Sequence, residues 1–281
     1  MLRSISGGVM AALLLAGAAP AAAAPLDKVK KTGFLRVAVY KDFAPWAYRK
    51  DGRLVGIDVD IANALAAKLG VKTDMVDFLA DEDVDGDLRN MVWRGTLIGQ
   101  APADVMMHVP ADRTLALRND RVAIVAPYYR EAFAMVCDPD QADCEAPPPQ
   151  FKGKTIYAEL DSVPDFYLSG SFGGVLRGDV THVPTGAEAV AAVSAGKAAM
   201  AVATRAQVEN GLGEAPGKAV LRKGPLPAIS SPGWNVAVAV KDDSRDLGDE
   251  IETLLADMQK SGELDAIFAR YHVVPRAPLL R

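Results

Sequence analysis

From residue 34 onward the chain alternates short apolar runs with amphipathic stretches, the pattern of strands interleaved with helices. Residues 34–40, Phe-Leu-Arg-Val-Ala-Val-Tyr, read as a first strand, with residues 41–46 as the loop at its end and Lys50-Asp-Gly52 as a turn. Ile61, Leu65 and Leu69 fall on one helical face and Gly70 supplies the stop. Residues 71–78 return as a strand, which makes a βαβ unit with a right-handed crossover. Residues 105–109 are an apolar run of strand length closed by Pro110, so Asp112 and Arg113 stand where a buried strand surfaces. Such strand ends are where open α/β sheets bind ligands. A β-rich run at 122–125 then meets Pro127, whose fixed φ and missing N–H suit a strand exit; the exit is predicted to cross between two lobes.

The pattern then repeats. Strands are predicted at 132–136, 155–158, 180–183 and 199–203, with one helix beginning after Asp161-Ser162 at Val163-Pro164 and another at 187–195, stopped by Gly196. Gly224-Pro225 and Ser231-Pro-Gly233 punctuate a loop before a strand at 234–240, and helices at 247–260 and 264–271 follow, separated by Gly262. This order predicts an α/β protein of two lobes with a cleft between them. Lobe 1 takes residues 25–128 and 233–281, lobe 2 takes residues 129–232, and the hinge crossings fall near 127–130 and 231–234.

Composition narrows the partners. With 281 residues, half of them hydrophobic, the chain can build the cores of one large or two ordinary domains. A formal net charge of -5 gives no basic excess, so neither nucleic acid nor an anionic membrane surface is an expected partner. Met1-Leu-Arg3, the apolar residues 9–16 and a small-residue tract to Ala24 form a secretory signal, residues 1–24, with cleavage after Ala23 preferred because Pro25 would follow a cut at Ala24. No Cys stands nearby to carry a lipid, and no other apolar run reaches membrane length, so a periplasmic protein without membrane insertion is expected. In that compartment Cys137 and Cys144, which enclose Asp-Pro-Asp-Gln-Ala-Asp, fit a local disulfide worth about 2 kcal/mol. Metal binding by the pair is the alternative, with no His or third Cys beside it.

Candidate catalytic chemistry is sparse. Asp81-Glu-Asp-Val-Asp-Gly86 resembles the first half of a calcium loop, but Val92 stands where a bidentate Glu belongs; the other reading is an acidic turn capping a helix at 88–97. Gly153-Lys-Thr155 lacks the preceding Gly of a phosphate loop, and neither Gly-x-Ser-x-Gly nor His-Glu-x-x-His occurs. His108, His182 and His272 lie in separate elements. No catalytic residue, cofactor or metal is expected.

The fragments Gly33-Phe-Leu-Arg-Val-Ala-Val, Pro45-Trp, Gly56-Ile-Asp-Val-Asp-Ile-Ala, Ala103-Asp-Val-Met, Asp112-Arg113, Pro127-Tyr-Tyr, Phe151-Lys-Gly-Lys and Gly262-Glu-Leu-Asp-Ala-Ile occur in an order that resembles the family 3 periplasmic solute-binding proteins of type II fold. The resemblance covers nearly all of the chain after the signal. It implies a monomer whose lobes close on a small polar solute, usually an amino acid, and deliver it to an ABC permease. It places Tyr40, Phe43 and Trp46 in the first ligand loop, Arg113 as a clamp for a carboxylate, Ser162 at a helix N-terminus of lobe 2 and Thr204 at the strand end opposite. An Arg fork and free helix N–H groups both suit an anion, so a carboxylate-bearing solute is expected. His108, on the cleft-facing strand, joins this set. Ala203-Thr204-Arg205 departs from the pattern, since it offers no acid to an amino group. A second resemblance rests on Asp104-Val-Met-Met-His-Val-Pro and Pro127-Tyr-Tyr-Arg-Glu-Ala-Phe, which look like divergent solute-binding-like proteins encoded beside periplasmic PQQ-dependent alcohol dehydrogenases. It implies an accessory partner of a quinoprotein dehydrogenase or its cytochrome c.

Overall fold

A computed structural model describes residues 25–279, and the signal expected at residues 1–24 lies outside the described residues. Helix α1 (Pro25–Thr32) leads into β1 (Phe34–Tyr40), whose Leu35, Val37, Ala38 and Val39 are all buried. The hairpin β2 (Tyr48–Lys50) and β3 (Arg53–Val55) turns at Asp51-Gly52, the predicted turn. Helix α2 (Ile57–Leu69) ends at Gly70, where a left-handed φ of 75° lets the chain cap the helix through the carbonyls of Ala66 and Ala67. It begins earlier than its apolar period implies, because Gly56 turns the chain in at φ 137° so close to Trp46 that a Cβ would lie 2.1 Å from the Trp46 carbonyl oxygen.

Strand β4 (Lys72–Phe78) follows, and then α3 (Val84–Leu88) and a wider turn over Arg89–Trp93 replace the helix expected at 88–97. Asp83 starts the helix early by accepting from the Gly86 N–H at 2.7 Å. Next come β5 (Val105–Pro110), α4 (Arg113–Arg118), β6 (Val122–Glu131), β7 (Phe133–Cys137), β8 (Ile156–Glu159), α5 (Val163–Gly170), β9 (Val180–Val183), α6 (Gly186–Ser194), β10 (Met200–Thr204), α7 (Arg205–Glu214), β11 (Val220–Leu221), β12 (Trp234–Lys241), α8 (Arg245–Ser261) and α9 (Glu263–Arg270).

Two five-stranded sheets result, in the orders β4-β1-β5-β12-β6 and β11-β7-β10-β8-β9. The first is completed by β12, which inserts antiparallel between β5 and β6, so the end of the chain returns to the lobe where it began. Each sheet is covered by helices with its own apolar cores. The first crossing differs from expectation. Pro127 does not end its strand; β6 runs through it to Glu131 and the chain crosses at Ala132. Pro127 is tolerated because β6 is an edge strand and bulges there, with Ala126 at φ 51° and a register slip between Val236 and Val238. The second crossing reaches β12 through Gly233, at φ 103°, where a Cβ would stand 2.3 Å from the Glu131 carbonyl oxygen. The two crossings are therefore in contact.

Past α9 the chain runs from lobe 1 toward α7 of lobe 2. The Tyr271 hydroxyl donates to Asp60 while the Tyr271 carbonyl accepts from Asn210, and Arg276 reaches both Glu209 and the Tyr129 hydroxyl. Cys137 and Cys144 are disulfide-bonded at a Cα separation of 5.5 Å. Among the described residues no helix is long and apolar enough to cross a membrane.

Candidate functional site

The strand ends of the two sheets face each other across a cavity of about 760 Å³. Lobe 1 lines it with Tyr40 at the end of β1 and Phe43 beyond it, the 79–84 segment after β4, and His108 and Pro110 from β5. Lobe 2 contributes Glu159, Pro184 and Thr185, and Trp234 enters from the second crossing. This is the crevice outside the strand ends at which open sheets take ligands, and the chain's own side chains leave it open.

Aromatic packing builds the floor. The Phe43 ring meets His108 at a right angle with centroids 5.0 Å apart, and Trp46 lies under His108 at 4.4 Å. Trp46 has no exposed surface and packs on Tyr129 and Phe268, so of the three aromatics expected in the first ligand loop, Tyr40 and Phe43 line the cavity and Trp46 supports them. The Tyr40 hydroxyl donates to Asp87 Oδ2 at 2.8 Å, and Asp87 Oδ1 accepts from the Asp81 N–H. Burial, reinforced by Asp87, pushes the Tyr40 phenol well up; burial likewise raises Asp87.

Negative charge dominates the walls. Asp42, Asp81, Glu82, Asp83, Asp87 and Glu159 line the cavity, against Lys41. Glu159 is held by the Gly186 N–H, which donates to Oε2 at 2.8 Å, and burial raises its carboxyl. A half-buried carboxylate with a raised pKa is one that an incoming cation would relieve.

The other expected site residues lie elsewhere. Asp112 accepts from the Leu115 N–H and caps α4, so Arg113 becomes the first residue of that helix, exposed and outside the cavity lining. Ser162 caps α5: its hydroxyl donates to the Glu159 carbonyl at 2.6 Å and accepts from the Asp165 N–H, which steadies the neighbouring Glu159 but puts Ser162 outside the lining. Thr204 is spent in a capping box with Gln207 at the start of α7. Asp87 and Glu159 were not singled out in the sequence, although Glu159 ends a strand just before a helix cap and Asp87 follows the acidic turn. Asp58, in the quoted Gly-Ile-Asp-Val-Asp run, is 1% exposed beneath His108.

Residues 35–90 match the sequence model of the family described as bacterial extracellular solute-binding proteins, family 3. Over 62 residues the chain is 42% identical to a Pseudomonas aeruginosa protein named cyclohexadienyl dehydratase, covering 22% of this chain and 23% of that one. The match thus spans about a quarter of that relative. Among solved structures, an ancestral cationic amino acid solute-binding protein superposes with a TM-score of 0.69 at 21% identity over 88% of this chain and 99% of that one. An amino acid ABC transporter substrate-binding protein from Streptococcus pneumoniae bound to L-arginine does so with a TM-score of 0.65 at 20% identity, over 90% and 100%. These likenesses show the two-lobe periplasmic binding protein fold that the sequence led us to expect.

Proposed function

We propose that the chain is a family 3 periplasmic solute-binding protein whose cleft captures a cationic solute of amino-acid size for an ABC permease. The observation that carries this reading is the charge of the cavity wall, six carboxylates against Lys41. A unit charge about 6 Å from one carboxylate interacts with it by roughly 3 kcal/mol at an effective dielectric of 20, so several such groups repel an anion and attract a cation. The carboxylate clamp expected at Arg113 draws no support from that residue's position on α4. In an amino acid ligand, Lys41 is the lining residue that suits the carboxylate end. The family match over residues 35–90, and the L-arginine bound by one structural relative, support the same reading. Closure of the lobes on the ligand follows if the closed state binds it better than the open one.

A thermal-shift panel tests this. L-arginine, L-lysine and diamines should stabilise the protein by about 2.7 kcal/mol at 100 times Kd, while L-glutamate and succinate leave it unmoved. Stabilisation by the acids alone would overturn the reading. A second reading, an accessory of a quinoprotein alcohol dehydrogenase, is favoured by Leu97 and Ile98, adjacent apolar residues each more than nine-tenths exposed. On that reading no solute stabilises the protein, and pull-down recovers the dehydrogenase or a c-type cytochrome.

A further inference from the structure

His108 sits in a conformation that needs an explanation. On either side of it Met106 pairs with Ala239 and Val109 with Ala237, so Met107 and His108 together oppose Val238, and the bulge places His108 at φ 62°. A non-glycine residue held in that region is strained, and the surrounding contacts must hold it there. They form a closed ring. The His108 N–H donates to the Tyr128 hydroxyl at 3.2 Å, that hydroxyl donates to Asp58 Oδ1 at 2.6 Å, and Asp58 Oδ2 lies 3.2 Å from His108 Nδ1. All three residues are buried.

We infer that Asp58 and Tyr128 are positioning residues that keep the His108 proton on Nδ1 and turn Nε2, a bare acceptor, into the cleft to receive an N–H of the cationic solute. The ligand half of this statement rests on the function proposed above.

A neutral imidazole has one donor and one acceptor nitrogen. Nδ1 is fully buried and has no aligned hydrogen-bond partner among the described residues, because Asp58 Oδ2 stands off the N–H direction; the carboxylate nonetheless acts on it electrostatically at 3.2 Å. A lone pair facing that anion in a buried site would be repelled, whereas an N–H there is attracted. Of the neighbouring rings, Phe43 has no polar atom and Trp46 offers only a donor, while the Tyr40 hydroxyl, which donates to Asp87, makes no hydrogen bond to His108 among the described residues. Since His108 lines the cavity with Nδ1 buried, the Nε2 edge is the one that meets it.

Nitrogen-15 NMR of histidine-labelled protein at alkaline pH reads the tautomer directly. The chain has three histidines, so His108→Asn identifies the His108 signals by their loss. The expected spectrum shows a pyrrole-type Nδ1 and a pyridine-type Nε2, with the proton moving toward Nε2 in Asp58→Asn. L-arginine should then perturb the wild-type Nε2 signal and bind Asp58→Asn at least about tenfold more weakly. A wild-type His108 protonated at Nε2 overturns the inference, whether or not the variant folds. The expected tautomer with signals indifferent to L-arginine that the protein nonetheless binds would uphold the positioning role and overturn the ligand contact, whereas no binding of L-arginine at all would overturn the function proposed above.

Discussion

At the scale of single residues, Glu131 is the group whose behaviour is easiest to separate from ligand binding. It ends β6 with no exposed surface; Oε1 accepts from the Ala132 N–H at 2.8 Å, and the Ala206 N–H and Thr204 hydroxyl near the carboxyl offset only part of its desolvation. Burial pushes its carboxyl up to about 8. Because this folded value lies above the unfolded one, the folded state binds the extra proton, so the stability is present below about pH 4.5 and is lost as pH rises through about 8. Glu131→Gln mimics the protonated form. Urea titrations at pH 6 and pH 9 should show the variant's stability relative to the wild type rising by on the order of 3 kcal/mol between the two; a difference that does not change with pH would refute the assignment. Some of the site was legible at this scale. Tyr40 and His108 lie in strand-like runs and Phe43 just beyond one, and all three line the cavity. The acids were not legible, because Asp87 and Glu159 gain meaning only when two distant strand ends meet, and Arg113 was misleading because the cap made by Asp112 turns it out.

At the scale of elements, periodicity was a good guide wherever a strand or helix buries one face: β1 spans the residues expected, and α2 stops at the Gly70 predicted to end it. It failed where the backbone obeys a local device, as in the Asp83 cap that replaces a helix at 88–97 and the bulge that carries β6 past Pro127. The contact between the crossings gives a sharp prediction. Gly233→Ala must place its Cβ against the Glu131 carbonyl at an unfavourable φ, and should lower stability by at least about 2 kcal/mol. Gly153→Ala, also at positive φ but in open space, serves as the control at about 1 kcal/mol. Equal urea midpoints for the two would contradict the packed crossing. The disulfide closes a short loop after β7, so Cys137→Ser with Cys144→Ser should cost about 2 kcal/mol with little change in ligand affinity, since neither sulfur lines the cavity. A large loss of affinity would show that the loop reaches the cleft.

At the scale of the whole molecule, the two lobes touch through their crossings and through the segment after α9, and the acidic cavity lies between them. The division into two α/β lobes was readable from the order of elements, because β12 and the last helices must return to a sheet left incomplete. The sign of the cleft's charge was not readable, since it sums residues from both lobes. Glu159 is its most informative member: it comes from lobe 2, accepts a single hydrogen bond from the Gly186 N–H, and holds a raised carboxyl toward a cavity otherwise lined by lobe 1 acids. Calorimetric titration of L-arginine into wild-type protein and Glu159→Gln is therefore the most direct test. Capture of a cation predicts binding by the wild type that weakens with salt and falls about 10- to 100-fold in the variant, the loss of one charge-assisted hydrogen bond. Binding of equal strength in both proteins, or of L-glutamate in preference to L-arginine, would contradict it.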